Sequence, residues 1–304
     1  METHLQLDEV SKSYGSVRAV DALSLAVPRG SVYGLLGPNG AGKTTTIRMI
    51  MRITLPDAGR LTLGGAPITD EVRERIGYLP EERGLYRKMK TLDHLTFLAE
   101  VRGLRRPEAR RRARAWLERL GLADKADSKV EELSKGMQQK VQFAGSVIHD
   151  PEFVIFDEPF TGLDPIATRQ LKDDITAMRE RGRTVLFSTH VLSQAEELCD
   201  AICLINRGRV VLSGPLAEVR ARNARHSLRV VARTEAAALA TVPGVIAARA
   251  ANGAWVVDLA EGSSAAAVIR ELAARFELAS VEPVVDSLED IFVRSVEEDH
   301  GPVA

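Results

Sequence analysis

The sequence predicts an α/β protein in which a large domain, built on a parallel or mixed β-sheet, is followed by a small α+β domain. Three short segments, Val32–Leu36, 153–156 and 184–188, are predominantly apolar, and each precedes a helical segment. Strands that are apolar on both faces indicate a sheet covered by helices. After residue 222 the pattern changes to another series of short strands and helices, which indicates a second domain.

Two strands are predicted before the apolar strands of the main sheet, and their pattern is different. Residues 5–7 and 22–27 alternate apolar and polar side chains, as half-exposed strands do. They predict an antiparallel β region beside the main sheet. The apolar strand Val32–Leu36 then leads into a glycine loop, and the next helix is predicted over residues 42–53.

Residues 91–150 predict an inserted helical subdomain, because no convincing strand interrupts their helical pattern. Ala113, Trp116, Leu117 and Leu120 recur at helical spacing, so one face of the second helix should be packed. The same helix is crowded with arginines: Arg105, Arg106, Arg110, Arg111, Arg112, Arg114 and Arg119. These arginines form either a solvated face or a surface for an acidic partner or nucleic acid.

Residues 223–304 predict a small α+β domain with the β-α-β-β-α-β order of the ferredoxin-like fold. Its strands are predicted at 227–232, 245–249, 255–259 and 279–284, and its helices at 235–240 and 265–276. A further helix over 287–296 would close the chain. The first domain is therefore predicted to span residues 1–222.

The composition suits a protein that works in the reducing cytoplasm. Hydrophobic residues make up 45% and charged residues 27% of the 304, as in soluble globular proteins. The net charge of −1 gives no general reason to bind nucleic acid or anionic lipid. Neither an apolar run of about 18 residues nor a signal peptide is apparent. Cys199 and Cys203 are interpreted as reduced core residues rather than a metal pair, because no histidine lies near them.

Residues 37–44, GPNGAGKT, fit the phosphate-loop pattern G-x-x-x-x-G-K-[ST] between a strand and a helix. The loop positions whose backbone would curl around phosphate oxygens are Gly37, Pro38, Asn39, Gly40, Ala41 and Gly42. The positive end of the following helix adds to the field that attracts an anion. Lys43 can reach the β- and γ-phosphates, Thr44 can offer a hydroxyl to Mg²⁺, and Thr45 can touch the α-phosphate. An ordinary glycine-rich turn is the alternative, which the flanking strand and helix disfavour.

A second motif, VIFDEP, ends an apolar strand at residues 154–159. It places Asp157 beside the phosphate loop of such a sheet, where this carboxylate would hold Mg²⁺ through water. Glu158 follows directly and can polarise the attacking water as a general base. In the alternative interpretation Asp157 and Glu158 only start a helix, and the upstream phosphate loop argues against it.

With LSKGMQQK at residues 133–140 added, residues 3–222 resemble the ATP-binding cassette (ABC) ATPases, the motor subunits of ABC transporters. The resemblance implies that Ser134 and Gly136 contact the γ-phosphate of an ATP held by another protomer. It also implies that His190, which follows the strand TVLFST, holds the γ-phosphate of its own protomer's ATP.

Two more positions match the family. Tyr14 corresponds to the aromatic that stacks on adenine; a surface-strand aromatic is the alternative. Asp164, in the sequence TGLD, corresponds to the loop that communicates across the interface between protomers. The resemblance therefore implies ATP and Mg²⁺ as ligands and a second copy of the chain, or a paralogous ATPase subunit, as partner.

The resemblance further implies a separate membrane-spanning permease, and no nucleic acid is expected as a partner. The protein would then be cytoplasmic and peripheral, held on the inner face of the plasma membrane through the permease. Substrate contacts lie in the permease, so the sequence of the ATPase says nothing of the cargo.

Three residues depart from the family pattern. Lys135 and Met137 stand where the signature usually has glycine and glutamine, and Glu81 stands for the glutamine expected after IGYLP. Glu81 can still offer Mg²⁺ an oxygen ligand, but it adds negative charge beside the γ-phosphate. With the C-terminal domain, which ends in DSLEDIFVRSV, these departures resemble ATPases of sodium-export and drug-export type.

The same sequence disfavours two other functions. Soluble ABC proteins that act on ribosomes or nucleic acid carry two cassettes or long coiled coils, and this sequence has neither. Glu158 and His190 count against a regulatory module that hydrolyses ATP slowly. The C-terminal domain could stabilise the dimer, regulate hydrolysis or bind a small effector.

Overall fold

The computed structural model describes residues 2–82, 84–223, 226–251, 253–260, 262–284 and 286–300. Its internal contacts divide the chain into two compact units, Met1–Leu216 and Ala217–Ala304. This division falls six residues before the boundary predicted from the sequence, because helix Leu216–Asn223 belongs almost entirely to the second unit.

The strands and helices of the first unit are, in chain order, β1 (Thr3–Tyr14), β2 (Val17–Pro28), β3 (Val32–Leu36), α1 (Lys43–Ile50), β4 (Ala58–Leu63), β5 (Ala66–Pro67), α2 (Asp70–Glu74), β6 (Gly77–Leu79), α3 (Thr91–Val101), α4 (Arg106–Arg119), α5 (Lys135–Val147), β7 (Phe153–Asp157), α6 (Pro165–Glu180), β8 (Thr184–Thr189), α7 (Leu192–Leu198), β9 (Ala201–Asn206) and β10 (Arg209–Pro215). Helix α1 ends three residues before the predicted end, because the polypeptide turns at Met51 and Arg52 adopts a positive φ of 52°.

The main sheet of the first unit is mixed, as predicted. Its strand order is β10-β9-β3-β8-β7-β6. The neighbours from β9 to β6 run parallel, whereas β10 runs antiparallel to β9. Every residue of β3, β7 and β8 is buried, as expected of strands covered on both faces. The carboxyl ends of these three neighbouring strands meet at one edge, which brings the motifs that follow them together.

A second sheet confirms the predicted antiparallel β region, with the strand order β2-β1-β4-β5. Its first two strands are longer than the alternating segments indicated, because their polar ends at Tyr14 and Val17 still pair across the hairpin. Apolar side chains of this sheet, among them Leu5, Leu7 and Leu25, share one core with the underside of the main sheet.

The predicted helical subdomain consists of α3, α4 and α5 with two short 3₁₀ turns between α4 and α5. Its core includes Ala113, Leu117 and Leu120, which confirms the packed stripe on α4. Trp116 is half-buried, and its ring meets that of Phe143 edge-on at 5.8 Å.

The arginines of α4 mostly pair with acidic residues of the same subdomain or of α6. The pairs are Arg106–Glu100, Arg110–Asp93, Arg111–Glu108, Arg112–Glu108 and Arg119–Asp174. The first four of these pairs are solvent-exposed and contribute about 0–1 kcal/mol each, so they stabilise the helix surface little. Asp174, in the fifth pair, is buried. This arrangement favours the interpretation of a solvated, internally neutralised face.

The second unit contains α8 (Leu216–Asn223), β11 (Ser227–Ala232), α9 (Ala236–Leu239), β12 (Val245–Ala251), β13 (Ala254–Leu259), α10 (Ala265–Arg275), β14 (Leu278–Pro283) and α11 (Leu288–His300). Its four strands form an antiparallel sheet in the order β12-β13-β11-β14, which is the ferredoxin-like arrangement predicted from the β-α-β-β-α-β order. Val230, Val257 and Leu272 lie in the core between this sheet and the helices.

Cys199 and Cys203 are buried free thiols beside β3, in agreement with the expectation of core residues. Burial raises the pKa of Cys203 to about 12. Within the described ranges, no helix is both long and apolar enough to cross a membrane.

Candidate active site

The glycine loop between β3 and α1 has a shape that only glycine permits at two of its positions. Gly37 has a φ of 148°, and a Cβ there would clash with the carbonyl oxygen of Ile205. Gly42 has a φ of 108°, and its Cβ would lie 2.5 Å from the carbonyl oxygen of Ala19. L-residues rarely adopt such angles, so the sequence pattern is dictated by this close approach of backbone to backbone. The loop ends at Lys43, where helix α1 begins with its positive dipole end.

Lys43 is held at the mouth of this loop. Its ammonium donates hydrogen bonds to the carbonyl oxygens of Gly37 at 2.7 Å and Pro38 at 3.2 Å. The same nitrogen lies 3.6 Å from Oε1 of Glu158. The side chain is only 6% exposed, so its charge is concentrated at one point of the cleft and weakly screened by water.

Asp157 ends strand β7 next to Ser188, its partner in the register of β8. The hydroxyl of Ser188 donates a hydrogen bond to Oδ1 of Asp157 at 2.5 Å. Burial raises the pKa of Asp157, while the hydrogen bond from Ser188 and the nearby Thr44 hydroxyl oppose that rise. Its other oxygen, Oδ2, is buried and has no hydrogen-bond partner among the described residues.

Oδ2 of Asp157 and the hydroxyl of Thr44 fit a hard divalent cation. A buried carboxylate oxygen in need of a partner, next to the hydroxyl of Thr44, offers the oxygen ligands that Mg²⁺ prefers. Ser188 donates its hydrogen bond to Oδ1 of Asp157, so Oδ2 remains available to the cation.

Glu158 follows Asp157 with a strained backbone. Its φ of 51° lies in the left-handed region, which costs a residue with a Cβ roughly 1–3 kcal/mol. The strain is offset by its amide, which donates to the carbonyl and the hydroxyl oxygens of Ser188, both at 3.2 Å. This turn points the carboxylate toward the phosphate loop, where Oε1 lies 3.0 Å from Nδ1 of His190. Glu158 therefore sits between a lysine and a histidine.

An open cleft of about 510 Å³ collects these groups. Its lining includes Asn39, Gly40, Gly42, Lys43, Thr44, Thr45, Glu81, Glu158 and His190. The volume lies within the range of about 300–1,000 Å³ that small-molecule sites have. The structure thus brings the phosphate loop, Glu81, the general-base candidate and the histidine into one site, although their sequence positions span about half of the chain.

The other predicted site residues do not line this cleft. Ser134 is the exposed N-cap of α5, where its hydroxyl accepts a hydrogen bond from the amide of Met137 at 3.3 Å, and Gly136 lies in the first turn. Asp164 is the N-cap of α6 and accepts from the amide of Ala167 at 2.8 Å. Tyr14, at the end of β1, is 48% exposed, with the ammonium of Lys12 5.8 Å from its ring centre.

Sequence reasoning missed Ser188, and it placed Thr161 only in the TGLD loop. Ser188 is fully buried and bonds to both acidic residues, whereas Thr161 lines the cleft. A signal was present for Ser188, because it is a polar residue that follows the apolar run Val185–Phe187, two positions before His190. Which residue it faces depends on the register between β7 and β8, and the sequence does not state that register.

Both units of the chain are similar to known proteins. The family model described as ABC transporter matches residues 20–161, and the model described as ATP-binding protein DrrA1-3-like, C-terminal domain, matches residues 214–296. An uncharacterized ABC transporter ATP-binding protein of Bacillus subtilis, YhaQ, is 37% identical over 96% of this chain and 98% of its own length.

Two further similarities cover mainly the first unit. The Nod factor export ATP-binding protein I of Paraburkholderia xenovorans is 39% identical over 70% of this chain and 71% of its own length. A solved structure of an ATP-binding subunit of an ABC transporter matches with a TM-score of 0.68 and 33% identity, over 73% of this chain and 93% of that one.

Proposed function

This chain belongs to the ATP-binding subunits of ABC transporters, and from that premise we propose how its own residues bind and hydrolyse ATP. The protein is an ABC ATPase, which converts ATP and water to ADP and phosphate to drive a transporter. The observation that carries the assignment of roles is the cluster of Lys43, Glu158 and His190 at the mouth of the glycine loop.

We assign the phosphate chain of ATP to the loop Gly37–Gly42 and helix α1. Backbone amides of such a loop and the helix end attract phosphate oxygens. Lys43, already fixed at the loop by two hydrogen bonds, supplies a point charge for the β- and γ-phosphates. Thr45, also in the cleft lining, is assigned to the α-phosphate, and Tyr14 to stacking on adenine.

We assign Mg²⁺ to Thr44, Asp157 and Glu81. Asp157 offers Oδ2, Thr44 lies beside it, and Glu81 lines the same cleft. When bound, the ion would neutralise charge on the phosphate oxygens.

Glu158 is assigned as the general base. Its strained turn aims one carboxylate oxygen at the cleft, within reach of both Lys43 and His190. That oxygen can accept the proton of a water as the water attacks the γ-phosphate. Lys43 and His190 stand where they can bind the charged phosphate oxygens that develop in the reaction, which is the larger share of catalysis in phosphoryl transfer.

The positions of Ser134, Gly136 and Asp164 support a site completed by a second subunit. They lie at exposed helix N-termini outside the cleft that holds Lys43. A helix N-terminus is an anion site, so one subunit's α5 would meet the γ-phosphate held by the other. Two such subunits, identical or paralogous, would then enclose two ATP molecules between them.

The transporter is proposed to be an exporter. The C-terminal unit matches a DrrA1-3-like domain, and one similar protein is named for Nod factor export. The membrane partner would be a separate permease that places this subunit on the inner face of the plasma membrane.

Replacement of the general base tests the assignment most simply. Glu158→Gln should lower ATP turnover roughly 10²–10⁴-fold, because an amide cannot accept the proton, while ATP binding is retained. Steady-state phosphate release and equilibrium nucleotide binding measure the two effects. Glu152→Gln is the matched control, since Glu152 precedes the same strand at its other end and pairs with Arg29 at the surface. Unchanged turnover in Glu158→Gln would remove Glu158 from the mechanism.

A further inference from the structure

Gln142 is a polar residue in the buried second half of helix α5, where its chain neighbours Val141, Phe143 and Ala144 are buried too. It is 7% exposed. Its side-chain amide donates two hydrogen bonds, to the carbonyl oxygen of Pro80 at 3.0 Å and to that of Glu82 at 3.2 Å. The two carbonyls belong to the residues immediately before and after Glu81. One side chain therefore fixes the backbone on both sides of Glu81.

The rest of the amide is not well accommodated. Oε1 of Gln142 is buried and has no hydrogen-bond partner among the described residues. A buried acceptor without a partner destabilises a fold, whereas an apolar side chain of similar size would suit this helix face better. What the glutamine adds over such a side chain is the pair of bonds around Glu81.

Helix α5 also carries Ser134 at its N-cap, about two turns before Gln142. A helix of this length moves as one body, so a displacement of its N-terminus reaches Gln142 and, through the two hydrogen bonds, the Glu81 segment. Glu81 lines the cleft together with Lys43 and Thr44. A contact between Ser134 and the partner's ATP would therefore change the position of Glu81 within the same subunit.

We propose that Gln142 is a positioning residue, which holds Glu81 at the cation side of the ATP cleft and makes its position follow that of helix α5. The inference rests on the proposed function, because it assumes that Glu81 acts toward MgATP. It explains how this chain uses a carboxylate at position 81: the acid is fixed from both sides instead of being left to move away from the phosphates.

The test is a double-mutant cycle on nucleotide affinity, made in the Glu158→Gln background so that ATP is not consumed. Gln142→Met keeps the length and volume of the side chain but removes both donors. Loss of two hydrogen bonds should weaken MgATP binding roughly tenfold. Binding of ATP in excess EDTA should stay unchanged, since Glu81 then has no cation to hold. Isothermal titration calorimetry gives both affinities.

The second arm repeats Gln142→Met in a protein that also carries Glu81→Ala. If Gln142 acts through Glu81, the substitution has no further effect on MgATP affinity there, because the group it positions is gone. A tenfold loss in both backgrounds, or no loss in either, would overturn the proposal. Should Gln142→Met not fold, Gln142→Asn, whose amide is too short to reach both carbonyls, takes its place in the same cycle.

Gln6→Met is the matched control. Gln6, on β1, also donates its side-chain amide twice, to the carbonyl oxygen of Leu7 at 3.5 Å and to the carboxylate of Asp8 at 2.8 Å, and these bonds reach neither helix α5 nor the Glu81 segment. It should change neither affinity. Failure of the proposed function would show itself differently: the Glu158→Gln parent would then bind no MgATP at all, whatever residue stands at 142.

Discussion

At the scale of single residues, the cleft holds Lys43, Glu158 and His190 close together. Lys43 lies 3.6 Å from Glu158, and His190 lies 3.0 Å from the same carboxylate oxygen. The sequence predicted all three, because each follows directly from a motif at the end of an apolar strand. It could not predict that the turn at Glu158 has a positive φ, which depends on the hydrogen bonds that the Glu158 amide donates to Ser188 on the neighbouring strand.

His94 provides a prediction on stability at this scale. It is fully buried beneath Tyr86, and burial lowers its pKa to about 4, against 6.5 for the unfolded chain. Since the unfolded chain binds a proton more readily, the free energy of unfolding should be constant above about pH 6.5 and fall as the pH drops toward 4. This one group would account for about 2–3 kcal/mol of the loss by pH 4.5.

His94→Phe, which cannot bind a proton but can still pack against Tyr86, should flatten this dependence. Urea unfolding at pH 7.5 and 4.5, for the original protein and the variant, measures the difference. His149, whose pKa burial also lowers to about 4, leaves a remaining slope in both proteins. Equal losses in the two proteins would show that His94 is not protonated on unfolding.

At the scale of elements, α6 is tied to the helical subdomain by one largely buried ion pair. Asp174 on α6 accepts hydrogen bonds from Nε of Arg119 at 2.8 Å and from one terminal nitrogen of the same guanidinium. Burial raises the pKa of Asp174, and Arg119 opposes that rise. The Arg119 guanidinium also stacks on Trp116, 5.2 Å from the ring centre.

Asp174→Ala should therefore destabilise the first unit by about 1–3 kcal/mol, because it leaves Arg119 partly buried without its anion. The control is the pair between Lys172 on the same helix and the exposed Glu197 on α7, and Glu197→Ala should have little effect. Thermal and urea unfolding measure both. If the two variants were equally stable, the ion pair would contribute nothing beyond a surface contact.

Elements were predictable to the extent that their pattern was local. Buried strands such as Val32–Leu36 can be predicted from a short run of apolar residues. The packed stripe on α4 can be predicted from its helical spacing. Strand β6 escaped prediction, because its three residues, Gly77–Leu79, are too short to show a period. It is a strand only because it pairs with β7. The two hydrogen bonds of Gln142 around Glu81 likewise join segments about sixty residues apart, so no local sequence pattern predicts them.

At the scale of the whole molecule, each unit has its own core, and the described cleft is built only from residues of the first unit. We expect a chain ending at residue 224 to fold and bind ATP. In the Glu158→Gln background its ATP-dependent dimer should be weaker than that of the full chain, if the C-terminal unit stabilises the dimer. Light scattering after size-exclusion chromatography, over a range of protein concentrations with ATP, tests this. Equal dimerisation of both chains would leave regulation or effector binding as the role of the C-terminal unit.

The central claim concerns a site shared between subunits, and mixing two inactive variants tests it most directly. Ser134→Arg should block the contribution of α5 to the partner's ATP, and Lys43→Ala should remove the charge that binds the subunit's own ATP. Neither variant alone should hydrolyse ATP, although Ser134→Arg should still bind it. A mixed dimer, however, has one site with both Lys43 and Ser134 intact. ATP turnover should therefore appear when the two proteins are mixed, and not when either is mixed with itself. A mixture that stays inactive while mixed dimers form, or a Ser134→Arg protein that hydrolyses ATP normally by itself, would contradict the shared site.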